Sequence, residues 1–300
     1  FLNLFIDNAF LGIVAIGMTL VIVSGGIDLS VGSMLALTTM IAAALLEQGM
    51  SIWLVIPVCL LAGMAMGALH GWLIAWFDVP PFIATLGGMY LTRGLCYLIS
   101  VNTINISEET VTQIAMATIE LPGDSFISVN VLIFLAVLGI SIWFAHYTRS
   151  GRAIYAIGGN EQSALLMGLP VKATKLLVYT LSGFLSALAG IVFTFYMLSG
   201  YALHGRGLEL DAIAAAVIGG TLLTGGVGYI AGTLFGTLIL GLIQTFIAFQ
   251  GDLSSWWAKI FIGMLILLFI LVQSLLNRSG ERKTAAGTGT ARAAPAGDRS

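Results

Sequence analysis

The chain has 300 residues, of which 58 % are hydrophobic and only 9 % charged, with a formal net charge of −2. A soluble domain ordinarily carries about 25 % charged residues, so a soluble globular protein is excluded. No basic patch with interleaved aromatics is present to hold nucleic acid.

Apolar blocks of roughly 18 residues are membrane-span candidates. Nine crossings are read in chain order: 8–23, 30–46, 52–77, 82–99, 127–147, 176–198, a short 212–223, 227–249 and 256–275. This predicts an all-α polytopic membrane protein, with a transmembrane domain over 1–276 and a flexible tail over 277–300. The tail is rich in Ala, Gly, Thr and Arg and has no core to join. The 37 glycines suit a bundle whose helix backbones approach closely. Cys59 and Cys96 fall in apolar blocks and read as small core residues without a structural disulfide.

Orientation follows from the segment 148–175, which carries Arg149, Arg152, Lys172 and Lys175, while no Lys or Arg lies between Gly94 and Thr148. Short-loop Lys and Arg mark the cytoplasmic side. Four crossings later the tail, with Arg278, Arg282 and Lys283, must also be inside, which agrees. Counting back, the polar segment 102–125, with Glu108, Glu109, Glu120 and Asp124, is external. The loops 24–29 and 78–81 are cytoplasmic, and Phe1 is external. A chain that starts outside without a signal sequence implies one preceding span, hence ten in the full protein, with both ends inside. Trp53, Trp76, Tyr147, Trp256 and Trp257 read as interfacial belt residues.

One internal echo stands out. Ser24-Gly25-Gly26-Ile27, followed by Gly32, is repeated at an offset of 200 by Thr224-Gly225-Gly226-Val227, followed by Gly232. Repeated halves with glycine-interrupted spans are a habit of transporters, and chance is the competing account in so glycine-rich a chain.

Enzymatic chemistry finds no support. There is no phosphate-binding G-x-x-x-x-G-K-[ST] loop and no nucleophile elbow, and His70, His146 and His204 are too dispersed for a metal.

Within the basic segment, Gly158 and Gly159 permit a sharp turn, Asn160 can cap a helix, and Glu161 suits its first turn. Gly168 and Pro170 stop that helix after fewer than two turns. So short a helix is marginal alone, and Ala164, Leu165 and Met167 need covering. A cytoplasmic partner docked on 155–168, with Tyr155 at its edge, answers that need; self-packing is the alternative.

The turn 24–32 places Asp28 between two apolar blocks. It is either an ordinary interfacial turn or a broken segment in which Gly25, Gly26 and Asp28 form part of a gate or a structural ion pair. Arg93 sits well inside 82–99, where a charge is costly and turns to the bundle interior, as structure or as path lining. Arg206 and Glu209, in the external stretch 199–211, are candidates for contact with a substrate-delivering protein, or belong to a solvated loop. Asp211 can cap the short seventh segment.

Three runs carry a family likeness. GMTLVIVSGGIDLSVG from Gly17, YAIGGN from Tyr155 and DAIAAAVIGGT from Asp211 resemble the ribose-type sugar permeases of ABC importers, with the likeness covering about 7–275. Within that family, DNAFLG from Asp7 and LSSWW from Leu253 are similar to a bacterial galactofuranose permease. The resemblance implies a multi-pass subunit of the bacterial inner membrane that binds no cofactor itself. It implies a second permease, related or identical, and a periplasmic sugar-binding protein. It also implies a cytoplasmic ATPase that holds ATP and Mg and contacts Gly158 to Met167. A secondary sugar transporter is the rival; it would need an ion-coupling site and no ATPase. A channel would need a filter-like repeat, and none is seen.

Overall fold

The computed structural model describes residues 2–121, 125–249 and 256–272. Phe1, the tail 277–300, Asp124 and the Leu253–Ser255 part of the galactofuranose likeness lie outside the described residues.

In chain order the helices are α1 (Leu2–Val23), α2 (Val31–Glu47), α3 (Ile52–Trp76), α4 (Pro81–Ile99), α5 (Glu109–Met116), α6 (Val129–Tyr147), α7 (Arg149–Gly159), α8 (Glu161–Leu166), α9 (Val171–Met197), α10 (Leu208–Ile218), α11 (Ile230–Phe249) and α12 (Trp256–Val272). Six of them, α1, α3, α4, α6, α9 and α11, are long and apolar enough to cross a membrane. The protein is thus a helical, multi-pass membrane protein. The other three expected crossings take a different form. Helices α2 and α12 are shorter apolar helices. The seventh is the eleven-residue α10 followed by non-helical chain. Eleven residues rise about 16 Å, roughly half of the ~30 Å hydrocarbon core. The all-α expectation also meets two small antiparallel pairs: β1 (Ile104–Asn105) with β4 (Ser199–Gly200), and β2 (Thr118–Leu121) with β3 (Ser125–Ser128). Glu108 caps α5 between them, its Oε2 accepting from the Val111 N–H at 2.7 Å.

The core forms around α1. It is apolar all round, and every residue from Leu11 to Val23 is buried, as such a helix requires. Helix α9 runs antiparallel to α3 along a seam of small residues. A Cβ on Gly71 would stand 2.8 Å from the Leu176 Cα, one on Gly67 would strike the Tyr179 carbonyl, and one on Gly63 the Gly183 carbonyl. With no hydrophobic effect between helices in lipid, this backbone proximity supplies the packing. The outward faces of α3, α6 and α12 expose Trp53, Trp76, Tyr147, Trp256 and Trp257 at their ends, as an interfacial belt does.

Helix ends are set by glycine. After α1, Gly25 takes φ 84°; its N–H bonds the Ile22 carbonyl and that of Gly26 bonds Val21, a Schellman closure. Gly168 closes α8 and Gly220 closes α10 in the same way.

Candidate functional site

The chain segments expected on the cytoplasmic side meet at one end of the bundle. Three glycine pairs, distant in sequence, converge there. A Cβ on Gly225 would lie 2.8 Å from the Gly158 carbonyl and 3.0 Å from the Gly25 Cα. One on Gly226 would lie 2.6 Å from the Gly159 Cα, and one on Gly158 would strike the Val23 carbonyl. The Gly226 N–H donates to that same Val23 carbonyl at 2.9 Å. The two echoed turns therefore pack on each other, Gly25 at φ 84° and Gly225 at φ 85°, with the end of α7 wedged against both. Deeper in, Thr19 on α1 and Thr233 on α11 share a hydrogen bond of 2.7 Å.

This corrects the reading of Gly158 and Gly159 as a turn. Both lie in the last turn of α7, a helix not foreseen, and neither has a positive φ. Gly158 is required by close approach rather than by backbone bending. Its partner segment gives the same reason for Gly226, whose φ of 75° also favours glycine.

Asn160 caps α8 as expected, its Oδ1 accepting from the Ser163 N–H at 2.8 Å. Glu161 accepts a hydrogen bond from the Lys175 ammonium at 2.6 Å, tying α8 to α9. Ala164 is fully buried against Ile157 and Val171, so this part of the helix packs on its own chain. Leu165, Leu166 and Met167 do not; they are 64 %, 89 % and 69 % exposed. Tyr155 donates its hydroxyl to the Gly228 carbonyl at 2.9 Å, and burial, with Tyr229 nearby, pushes its phenol pKa up.

Asp28 is not at the surface. It is 1 % exposed, with Oδ1 accepting from the Ser30 N–H and hydroxyl at 2.9 and 2.6 Å and Oδ2 from the Ser182 hydroxyl at 2.7 Å. Ser182 is near the middle of α9, so the segment after Gly26 turns back into the bundle before α2 begins. The ion pair considered for Asp28 is absent, since Lys175–Glu161 is the ion pair found among the described residues. Hydroxyls satisfy the carboxylate instead. The Ser30 hydroxyl lies 3.5 Å from His70 Nδ1 on α3. Ser33 donates to the Ser30 carbonyl and Thr92 to Ser33, at 2.7 and 2.6 Å, which carries the polar seam on to α4. Tyr179 and Ser182 were missed in the sequence, and His70 was weighed only as a metal ligand. The signal for Tyr179 and Ser182 was present on α9, where they recur with Ser186 at helical spacing on one buried face.

Arg93 turns to the neighbouring stretch, where Nη1 donates to the carbonyls of Ala202 and His204 at 2.5 and 2.8 Å. That stretch, expected as an external loop, runs along α2. A Cβ on Gly200 would stand 2.6 Å from the Thr39 carbonyl, and one on Gly205 2.9 Å from the Gly32 carbonyl. Arg206 is exposed, whereas Glu209 is half-buried, its Oε2 2.6 Å from where a Gly32 Cβ would stand. Asp28, Gly25 and Gly26 thus share one region with Gly158 and Gly159, and Arg93, Arg206 and Glu209 belong to another. Among the described residues no cluster of His, Cys, Asp and Glu is arranged to hold a metal.

Known proteins match along almost the whole chain. A family model described as "Branched-chain amino acid transport system / permease component" matches residues 1–270. The chain is 52 % identical over 272 residues to the inner membrane ABC transporter permease protein YjfF of Escherichia coli, covering 90 % of this chain and 82 % of that protein. It is 41 % identical over 288 residues to the fructose import permease protein FruG of Bifidobacterium longum, covering 94 % and 84 %. It is 40 % identical over 263 residues to the ribose import permease protein RbsC of Escherichia coli, covering 87 % and 81 %. No solved structure matches it.

Proposed function

Because the chain belongs to the branched-chain amino acid transport system / permease component family, with ribose-type sugar permeases of ABC importers among its relatives, we propose that it is the membrane-spanning subunit of an ATP-driven sugar importer. It resides in the bacterial inner membrane as a multi-pass protein. It carries no chemistry of its own; ATP and Mg belong to a partner ATPase. A periplasmic sugar-binding protein delivers the sugar, and a second permease, identical or related, completes the path. The proposed substrate is a monosaccharide, with galactofuranose favoured by the likeness at Asp7 to Gly12.

The observation that carries this reading is α8. A six-residue helix with Leu165 and Leu166 turned outward, followed by the exposed Met167, stands beyond the spans and follows the glycine junction in the chain. Exposed apolar groups on a charged, water-facing segment mark a docking surface. In the proposed mechanism the ATPase docks on Gly158 to Met167, with Tyr155 anchoring α7. Closure of the ATPase displaces α7 and α8, and the backbone contacts of Gly158 and Gly159 pass the displacement to Gly25, Gly26 and the turn at Gly225. Asp28 and Arg93 are the proposed gate or path residues, and Arg206 and Glu209 the proposed contacts for the delivering protein. The two states differ in affinity for sugar and for the ATPase, which is what couples them.

The test is co-purification of an ATPase with the full chain from its native membrane, followed by ATP-driven sugar uptake in liposomes, for the wild type and for L165S/M167S. Neither side chain is buried in this chain, so the variant folds; the reading requires that it lose the ATPase and the uptake. Uptake driven by an ion gradient with no nucleotide-binding partner would overturn it in favour of secondary transport.

A further inference from the structure

A cavity of about 400 Å³ opens where the end of α6, α7 and the residues just before α11 meet. Its volume falls within the usual range of ligand pockets, roughly 300–1,000 Å³. His146, Arg152, Tyr155, Val227, Gly228 and Tyr229 are among the residues that line it. The Tyr155 hydroxyl, donating to the Gly228 carbonyl at 2.9 Å, fastens α7 to the chain before α11, and the His146 ring stacks with Tyr155, centroids 6.1 Å apart.

The charge around this cavity is one-sided. No Asp or Glu lines it, and none occurs from Ser125 to Asn160 or from Ala212 to Gly251, the two stretches that supply the lining. Arg152 is exposed, and Arg149 precedes it by about one turn of α7. Lys175–Glu161 is the ion pair found among the described residues, so no described carboxylate holds either guanidinium. Arg152 Nη1 makes one long bond, 3.4 Å, to the Tyr147 carbonyl. The remaining donors form a planar fork of the kind that matches two phosphate oxygens.

The cavity also lies at the end of two spans. Helices α6 and α11 are both long and apolar enough to cross a membrane. Trp143 and Ile140, about one and two turns into α6 from His146, are exposed, and so are Phe235 and Ile239, about two and three turns on from Tyr229. The exposed Tyr147 and Tyr229 stand at the same end, as interfacial tyrosines do. Basic pockets between spans on the side marked by Lys and Arg suit acidic headgroups.

We infer that this cavity binds an anionic phospholipid from the leaflet on the basic side, its phosphate on Arg152 and its acyl chains along the exposed side chains of α6 and α11. A zwitterionic lipid is disfavoured, because its ammonium would meet a guanidinium with no carboxylate beside it. A free phosphate would forgo the apolar contact. The occupant touches both α7 and the connection that carries Gly226, so it braces the glycine junction from outside. The site does not depend on which solute the protein carries.

The test uses the full chain, with whatever subunits accompany it, delipidated in detergent and titrated with phosphatidylglycerol or with phosphatidylcholine of the same acyl chains. Native mass spectrometry reads the bound lipid. The site requires saturable binding of phosphatidylglycerol severalfold tighter than that of phosphatidylcholine. It requires that R152Q weaken this binding severalfold and that K172Q, which removes an equal charge from an exposed position away from the cavity, leave it unchanged. It also requires that millimolar inorganic phosphate fail to displace the lipid. Equal binding of the two lipids would overturn it, and that comparison needs no variant. Equal losses in R152Q and K172Q would reduce the effect to diffuse surface charge and overturn the pocket. Displacement by inorganic phosphate would make it a free-phosphate site instead.

Discussion

Gly158 of α7 and Gly226 of the α10–α11 connection touch backbone to backbone, a Cβ on Gly158 standing 2.7 Å from the Gly226 nitrogen. Such a contact has no flexible side chain that can yield. Any displacement of α7 must therefore move the turns at Gly25 and Gly225 or break the junction.

Substituting G158A should destabilise the protein by roughly 1–3 kcal/mol, the usual cost of overpacking. G87A should cost little, because nothing lies within 4 Å of its Cβ position. Thermal unfolding in detergent compares the two, and a G158A protein as stable as G87A would contradict the packing described.

The buried Asp28 and Ser182 should behave as a pair. S182A leaves one carboxylate oxygen short of a donor and should cost about 1–3 kcal/mol. In a double-mutant cycle with D28N the losses should fall clearly short of additive, as they do for residues sharing a hydrogen bond. Strict additivity in unfolding would show that the bond contributes nothing.

Arg93 holds the stretch 201–206 by its carbonyls. Hydrogen bonds to charged groups contribute about 1.5–3 kcal/mol, so R93Q should speed amide exchange there about tenfold or more. Exchange in α7 and α8 should not change. Acceleration at both ends alike would indicate general unfolding instead.

Two polar contacts, besides the packing of Ala164, hold α8 and should differ in strength. Loss of the cap in N160A should cost about 1 kcal/mol of local stability. K175Q removes a pair whose Glu161 side chain is 52 % exposed and should cost less, about 0–1 kcal/mol, with a dependence on salt. Amide exchange across 161–167 at low and high salt measures both.

Much was legible without coordinates. Long apolar blocks made a multi-pass membrane protein unavoidable, because lipid admits only chains whose backbone bonds close within themselves. The cap at Asn160 and the stop at Gly168 are local devices, readable from residue type. The repeated Ser/Thr-Gly-Gly turns were visible as text, but not that Gly25 and Gly225 face each other.

Composition and local spacing by themselves determined the membrane class, the helical architecture and the existence of a short capped helix on the basic segment. Only the tertiary structure decided which glycines serve a turn and which serve close approach, that Asp28 is held by Ser182 from 154 positions away, and that Arg93 spends its charge on carbonyls of a stretch descending along α2. The reason is physical. Caps and apolar runs act over one helical turn, whereas the partner of a buried polar group, or the neighbour that forbids a Cβ, is set by how distant helices pack.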